Sequence, residues 1–339
     1  MGSTAPNPQQ NPAILLDIAS GYMKTQALYV ATKLGIADHL SEGPQSSDAL
    51  AQAVGVHPKA LYRLLRALES LSLFREPEPG VFALTPLGEH LRKDAPSGFR
   101  TQILLTDEIL WRLWGDLAYT ITTGQSAAQH VLGMSSFDYR QQHPEKAAAF
   151  NTAMTHRMSA LASAVVAAYD FSPFQTITDI GGGHGTLLAT ILRAAPQAHG
   201  VVFDLPMTVE GARQYMVQRG LGERCTCVGG DFFTEVPGGE ALILSAVISD
   251  WDDEKSVQIL TNCRRAIAPG GRLLLVERRL VPEEPASPMA FLDLMMLVVG
   301  GGTGRSEAEY RRLLAEAGFE LIQVVSTKTD VSIFEARPV

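Results

Sequence analysis

The sequence predicts an α/β protein in two parts: a helical, winged-helix-like N-terminal region, then a doubly wound, Rossmann-like parallel sheet. Two observations predict it. From about Thr176 onward, short apolar runs (TITDI, HGVVFD, CTCVG, ALILS, GRLLLVE) alternate with helical stretches such as GTLLATILRAAP and DEKSVQILTNCRRAIAP. Such alternation needs crossover helices and therefore a parallel sheet. Before about residue 170 strand signals are sparse, and apolar residues recur at helical spacing.

Each N-terminal element has a local reason. Residues 14–40 carry small and apolar residues at helical spacing. SSDALAQAVG reads as a short capped helix ending at Gly55, and HPKALYRLLRALESLSL as a second with Pro58 in its first turn. Leu61, Leu64, Leu65 and Leu68 share one face of that second helix. FREPEPGVFALTPLGEHL reads as a hairpin turning near Pro79 and Gly80. Helix, helix, hairpin is the outline of a winged helix, which serves either DNA binding or a dimerisation or lid role.

Composition decides between them. The 339 residues carry 28 basic and 36 acidic side chains, a net charge of −8. Lys59, Arg63 and Arg66 are the nearby bases on the second helix, too few for the basic face that phosphate contacts require. The same charge disfavours docking on an anionic membrane, and no apolar run reaches the ~20 residues that span a bilayer. Cys225, Cys227 and Cys263 make no disulfide framework, and MGSTAPNPQQNP lacks the basic and apolar regions of a signal peptide. A reducing cytoplasm is the expected setting. No Cys/His spacing predicts a metal.

The chemistry sits at the strand ends, where doubly wound sheets bind ligands. Asp179-Ile-Gly181-Gly-Gly183-His-Gly185 follows the first strand. A G-x-G-x-x-G dinucleotide loop fails here, because its third glycine falls on Thr186. The alternating D-x-G-x-G-x-G suits S-adenosylmethionine. Asp204 ends the next strand, where a carboxylate accepts from both ribose hydroxyls. Asp231-Phe232 ends the one after, where an acid meets the adenine amino group and a ring covers its face.

These segments, with SDWDDEKSVQILTNCRRAIAPGGRLLLVE and SEAEYRRLLAEAGF, resemble the small-molecule O-methyltransferase family of plant phenolic and bacterial antibiotic-tailoring enzymes. The resemblance covers nearly the whole chain. It implies a dimerisation domain over residues 1–105, a helical linker and pocket roof over 106–170, and an S-adenosylmethionine-dependent methyltransferase domain over 171–339, with S-adenosylhomocysteine as product and an intertwined homodimer. By position, Gly181 and Gly183 would lie along the methionine part and Arg157 would reach its carboxylate. Asp204 and Leu205 would hold the ribose. Gly230, Asp231, Phe232 and Trp251 would surround adenine, with Ser245 bonding near it.

The chain departs from the family at the reaction centre. Ser249-Asp250-Trp251 stands where the family usually reads His-Asp-Trp, and Gly301-Gly302-Thr303-Gly304-Arg305 where it reads Gly-Gly-x-Glu-Arg. Both members of the usual base pair are missing. Ionising a phenol of pKa near 10 at neutral pH costs roughly 4 kcal/mol, and a positioned base contributes about 10²–10⁴-fold. An acidified hydroxyl, an N-hydroxyl or a ring nitrogen needs no such base, and alignment alone can supply roughly 7–11 kcal/mol. The replacement resembles some phenazine-modifying and N-methylating members. Relatives that keep the cofactor but catalyse pericyclic, elimination or hydroxylation steps are the alternative.

Ser249 and Asp250 are the candidate catalytic residues, Asp250 as a proton acceptor, an acceptor-orienting group or merely a helix cap. His130, His143 and His156 in the roof and His184 in the glycine loop are the other imidazoles to place. For a flat aromatic acceptor the pocket candidates are Trp111, Trp114, Phe137, Phe150, Met154, Asp293, Met296 and Leu297.

Overall fold

A computed structural model describes residues 12–280 and 289–339. The chain divides into two compact units, one running to Trp111 and the other from Arg112 to Val339. The division falls within the stretch read as a linker.

The first unit opens with helices α1 (Ala13–Ala19), α2 (Gly21–Lys33) and α3 (Ile36–His39). A two-residue strand, β1 (Gln45–Ser46), leads into α4 (Ser47–Val54). Ser46 Oγ caps α4 by accepting from Ala49 N at 3.2 Å, and Gly55 ends it at φ +70°, where a Cβ would be strained. Helix α5 (Pro58–Glu69) buries Leu61, Leu65 and Leu68. Its fourth leucine, Leu64, is half-buried. The hairpin is β2 (Phe74–Glu78) and β3 (Val81–Leu84), with Gly80 at φ +77° in its turn. Strand β1 adds to β3 antiparallel, so the wing has three strands where two were expected. Helix α6 (Phe99–Leu104) follows.

Helix α7 (Glu108–Gly115) crosses the division. Then come α8 (Leu117–Thr123), α9 (Ala127–Leu132), α10 (Ser136–Gln142) and the 25-residue α11 (Pro144–Ala168). Five parallel strands follow: β4 (Thr176–Ile180), β5 (His199–Asp204), β6 (Cys225–Gly229), β7 (Gly239–Ser245) and β8 (Ile267–Arg278). Helices α12 (Thr186–Ala194), α13 (Pro206–Gln218) and α14 (Asp253–Ala266) connect most of them, and α15 (Met289–Gly300) and α16 (Glu307–Glu316) come after β8.

The parallel reading needs one correction. Strands β9 (Phe319–Ser326) and β10 (Val331–Pro338) are antiparallel, and β10 pairs antiparallel with β8, so the sheet is mixed, in the order β6-β5-β4-β7-β8-β10-β9. A four-residue connection from Ser326 to Val331 is too short for a crossover and forces the hairpin. The core lies on both faces of the sheet, with Ile177, Val202, Ile243 and Leu274 on one side and Ile180, Leu242, Leu244 and Leu275 on the other. The chain runs outward from β4 to β6 and returns to β7, so the switch point lies beyond the carboxyl ends of β4 and β7. Among the described residues no helix is long and apolar enough to cross a membrane.

Leu65 is fully buried in the first unit's core. Leu65→Ala is expected to lower unfolding free energy by about 2–5 kcal/mol, read as a shifted denaturant midpoint. A shift below the noise would mean that the helix packs differently.

Candidate active site

The glycine loop after β4 is shaped by backbone conformation. Gly181, Gly183 and Gly185 sit at φ +70°, +58° and +78°. A Cβ on Gly181 would come within 2.7 Å of Val247, in the turn after β7, whereas one on Gly183 would meet nothing within 4 Å. The loop therefore packs tightly below and is open above. Asp204 braces it: one carboxylate oxygen accepts from Gly183 N at 2.8 Å and the other from Leu205 N at 2.7 Å. Burial raises the Asp204 pKa, against the lowering effect of those N–H groups.

Asp179 lies beneath this loop, fully buried. Neither of its carboxylate oxygens has a hydrogen-bond partner. Burial, and then the neighbouring Asp204 carboxylate, push its pKa up to about 7. The aromatic side is formed by Phe232 and Phe233, each edge-on to Trp251 at 6.0 and 4.8 Å. Asp231 accepts from Phe233 N at 2.9 Å and stays exposed. Gly230 packs so closely on Phe203 that a Cβ would lie 2.5 Å from its ring. Ser245, at the end of β7, points its hydroxyl at Met158 Sδ of α11, 3.9 Å away. An open loop surface, an orphaned buried acid and an adjacent aromatic group fit S-adenosylmethionine.

Beside the loop, the turn after β7 carries the candidate catalytic residues and is held from behind by two buried charges. Ala246 enters it at φ +53°, unusual for a residue with a Cβ. Glu277, 2% exposed at the end of β8, accepts from the backbone N–H groups of Val247 (3.0 Å) and Ile248 (2.9 Å), and from the Ser249 hydroxyl at 2.9 Å. Arg305, 1% exposed, donates to Ile248 O at 2.9 Å, Trp251 O at 2.8 Å and Asp253 Oδ1 at 2.9 Å. Bonds to a charged group each contribute about 1.5–3 kcal/mol. The glycines of the Gly-Gly-x-x-Arg stretch allow this approach: a Cβ on Gly302 would lie 2.3 Å from Ser249 O.

The structure separates the readings of Ser249 and Asp250. The Ser249 hydroxyl already donates to Glu277, and the residue is buried. Asp252 caps α14, accepting from Lys255 N at 2.9 Å, so Asp250 is not that helix's cap. Burial and then Glu277 raise the Asp250 pKa to about 7, while Arg140 and Arg157 pull it down. Arg140 is itself desolvated, its guanidinium over the rings of Phe137 at 4.7 Å and Phe150 at 4.2 Å. Phe137 in turn stacks on Trp251 at 5.4 Å. Gly304 is bordered by Asp293 and Leu280, and Asp293 accepts from Gly304 N at 2.5 Å.

The other candidates lie on several elements. Trp111 is exposed and belongs to the first unit. Trp114 and Met154 are half-buried on α7 and α11, and Met296 and Leu297 on α15. His130 is bonded to Asp116 at 2.7 Å and stacked on Tyr119. His143 is bonded to Tyr139 O at 2.8 Å. His156 is exposed on α11. His184 contacts Thr155 Oγ1 at 3.2 Å, and burial lowers its pKa. Glu277, Arg305 and Arg140 were not anticipated from the sequence. The one signal for Glu277 was a carboxylate closing the apolar run LLLV.

Comparison with known proteins decides the family. An O-methyltransferase domain model matches residues 114–320, and an O-methyltransferase dimerisation domain model matches residues 16–94. The chain belongs to the O-methyltransferase family, and it is S-adenosylmethionine-dependent. It is 44% identical over 328 residues to the phenazine O-methyltransferase PhzM of Lysobacter antibioticus, covering 96% of each chain. It is 32% identical to phenazine-1-carboxylate N-methyltransferase of Pseudomonas aeruginosa, covering 95% of this methyltransferase and 96% of that one. Among solved structures, LaPhzM superposes with a TM-score of 0.92 at 44% identity, covering 96% of this chain and 99% of that one. NcsB1 from neocarzinostatin biosynthesis, bound to S-adenosylmethionine and 2-hydroxy-5-methyl naphthoic acid, superposes with a TM-score of 0.85 at 32% identity over the whole of both chains.

Two outcomes test this description of the methyltransferase. Arg305→Met removes the donors to Ile248 O and Trp251 O, and should cost about 3–5 kcal/mol of stability while weakening S-adenosylhomocysteine binding in calorimetry. Unchanged stability and affinity would show that the turn holds without the clamp. The second concerns Asp179. Its folded-state pKa is raised from 3.8 to about 7, so its contribution is fully present below about pH 4 and is lost as pH rises through 7. Asp179→Asn should flatten the fall in cofactor-free stability across that window. An unaltered pH slope would place the titration elsewhere.

Proposed function

We propose that this methyltransferase acts on a hydroxyl or N-hydroxyl of a planar, phenazine-like aromatic acceptor that arrives ionised, and that it works as a homodimer through its N-terminal domain. The observation that carries this reading is the state of the two positions where the family keeps its proton-transferring pair. At one, Ser249 offers no basic group and donates its hydroxyl to Glu277. At the other, Gly304 has no side chain, and its border is filled by Asp293 and Leu280. The name of the Lysobacter relative supports the acceptor class.

S-Adenosylmethionine supplies a sulfonium methyl as electrophile. The chain's own residues bind and orient. Gly181 and Gly183 give the backbone room for the methionine part, with Arg157 toward its carboxylate. Asp204 and Leu205 meet the ribose. Gly230, Asp231, Phe232, Ser245 and Trp251 serve the adenine end. Phe137, Phe150, Trp114, Met154, Met296 and Leu297 suit a flat apolar ring system, and Asp293 offers it a polar edge. Ser249 acts as a brace for the turn, with no proton passing through it.

A second reading attaches to Asp250. A carboxyl raised to about 7 is matched to accepting a proton at neutral pH, so weaker acids than an N-hydroxyl remain within reach. Methylation at a ring nitrogen is the other variant, favoured by the name of the Pseudomonas relative.

The test is a set of hydroxylated and N-oxidised phenazines and simple phenols of graded acidity, read by product mass. The pH midpoint of kcat/KM is expected to track each acceptor's own pKa, with Ser249→His changing the rate little. A midpoint fixed near 7 for every acceptor, abolished by Asp250→Asn, would establish Asp250 as the base. A large gain in Ser249→His would mean that proton removal had limited the reaction.

A further inference from the structure

Arg140, on α10, forms no close ion pair among the described residues, although Asp250 acts on it electrostatically. Among the described residues no carboxylate lies within 4 Å of its guanidinium and no hydrogen-bond acceptor is paired with it; its close contacts are the faces of Phe137 and Phe150. Ring faces attract a desolvated guanidinium but accept none of the directed hydrogen bonds that a buried cation requires.

The charges around it leave its N–H donors unpaired among the described residues. Arg140 faces Asp250. Asp250 faces Arg140, Arg157 and Glu277. Arg157 faces Arg278, Asp330, Asp250 and Glu277. Arg278 is paired with Asp330 at 2.5 Å, and the Glu277 carboxylate is occupied by the Val247, Ile248 and Ser249 donors. Those neutral donors satisfy Glu277 without cancelling its charge, so Arg157 lies in the field of both Asp250 and Glu277, whereas Arg140 feels Asp250 alone and holds no close ion pair among the described residues. Arg140 also joins the aromatic group: Phe137 lies beneath it and stacks on Trp251, two residues from Ser249.

Building on the acceptor proposed above, we propose that Arg140 binds the acceptor's reactive oxygen as an anion, so that the enzyme lowers the acceptor's pKa instead of removing its proton with a base. The acceptor enters as its anion, its proton already given to solvent, and Arg140 holds it in that form. The oxyanion then attacks the methyl carbon, the new O–C bond forms as the S–C bond breaks, and the neutral ether leaves a site that prefers an anion. Arg140 is thus a specificity-determining residue that favours ionisable oxygens. An aromatic carboxylate beside the hydroxyl would exploit the same guanidinium.

A coloured hydroxyphenazine reports its own ionisation by absorbance. Bound to the enzyme with S-adenosylhomocysteine, its pKa is expected to fall by about one unit or more from its value in solution, as an opposite charge nearby dictates. Arg140→Met, which keeps an apolar stem against the two rings, should return the bound pKa to the solution value and move the pH midpoint of kcat up with it. Arg140→Lys should retain part of the shift, and melting curves should show both variants folded. A matched carboxylate and carboxamide pair separates the two anions: if Arg140→Met weakens only the carboxylate and leaves the hydroxyl's pKa alone, the guanidinium binds a spectator acid and the proposal is overturned. Binding with the same pKa in all three proteins would overturn it as well. Failure of every hydroxyphenazine to bind or be methylated would remove the acceptor class and this inference with it.

Discussion

The buried carboxylate of Glu277 organises the reaction centre. One side chain at the end of β8 gathers three backbone N–H groups and a hydroxyl from the turn that follows β7. That turn approaches the glycine loop through Val247, packs on Phe232 through Trp251 and carries Asp250. Arg305 ties its carbonyls from another direction. Buried polar groups are tolerated only when satisfied, and here that requirement makes a rigid wall from a segment containing one residue at positive φ.

Rigidity of this kind suits the proposed reaction, whose main demand is alignment. Where a relative with a histidine can use its imidazole, this chain has a serine hydroxyl facing inward to Glu277. The turn carries Asp250, and the guanidinium of Arg140 acts on it electrostatically. A carboxyl with a pKa near 7 between arginines makes the local charge responsive near neutrality, which is why acceptor acidity and enzyme pH profile belong in one account.

Much of this was legible in the sequence, for definite reasons. The glycine loop, Asp204 and Asp231-Phe232 stand at successive strand ends, so spacing alone brings them together. Ser46, Gly55, Pro58 and Gly80 fix the winged-helix outline through local chemistry. What stayed hidden depends on tertiary pairing. Glu277 and Arg305 lie 28 residues apart in sequence and look like an ordinary strand end and a helix-flanking base. Arg140 reads as a solvated helix residue until Phe137 and Phe150 close over it. The direction of β9 and β10 is set by the tight connection between them, too short for a crossover, and apolar runs of this length look alike in parallel and antiparallel strands. The histidines of the roof could not be assigned from spacing, and His130 and His143 proved to be occupied by local partners.

The most direct measurement is a crystal structure of the complex with S-adenosylhomocysteine and a hydroxyphenazine. The account predicts that the turn stays where Glu277 holds it, that Ser249 keeps its bond to that carboxylate, and that the acceptor oxygen has no imidazole within bonding distance. A Ser249 hydroxyl swung onto that oxygen, or a histidine bonded to it, would contradict the account.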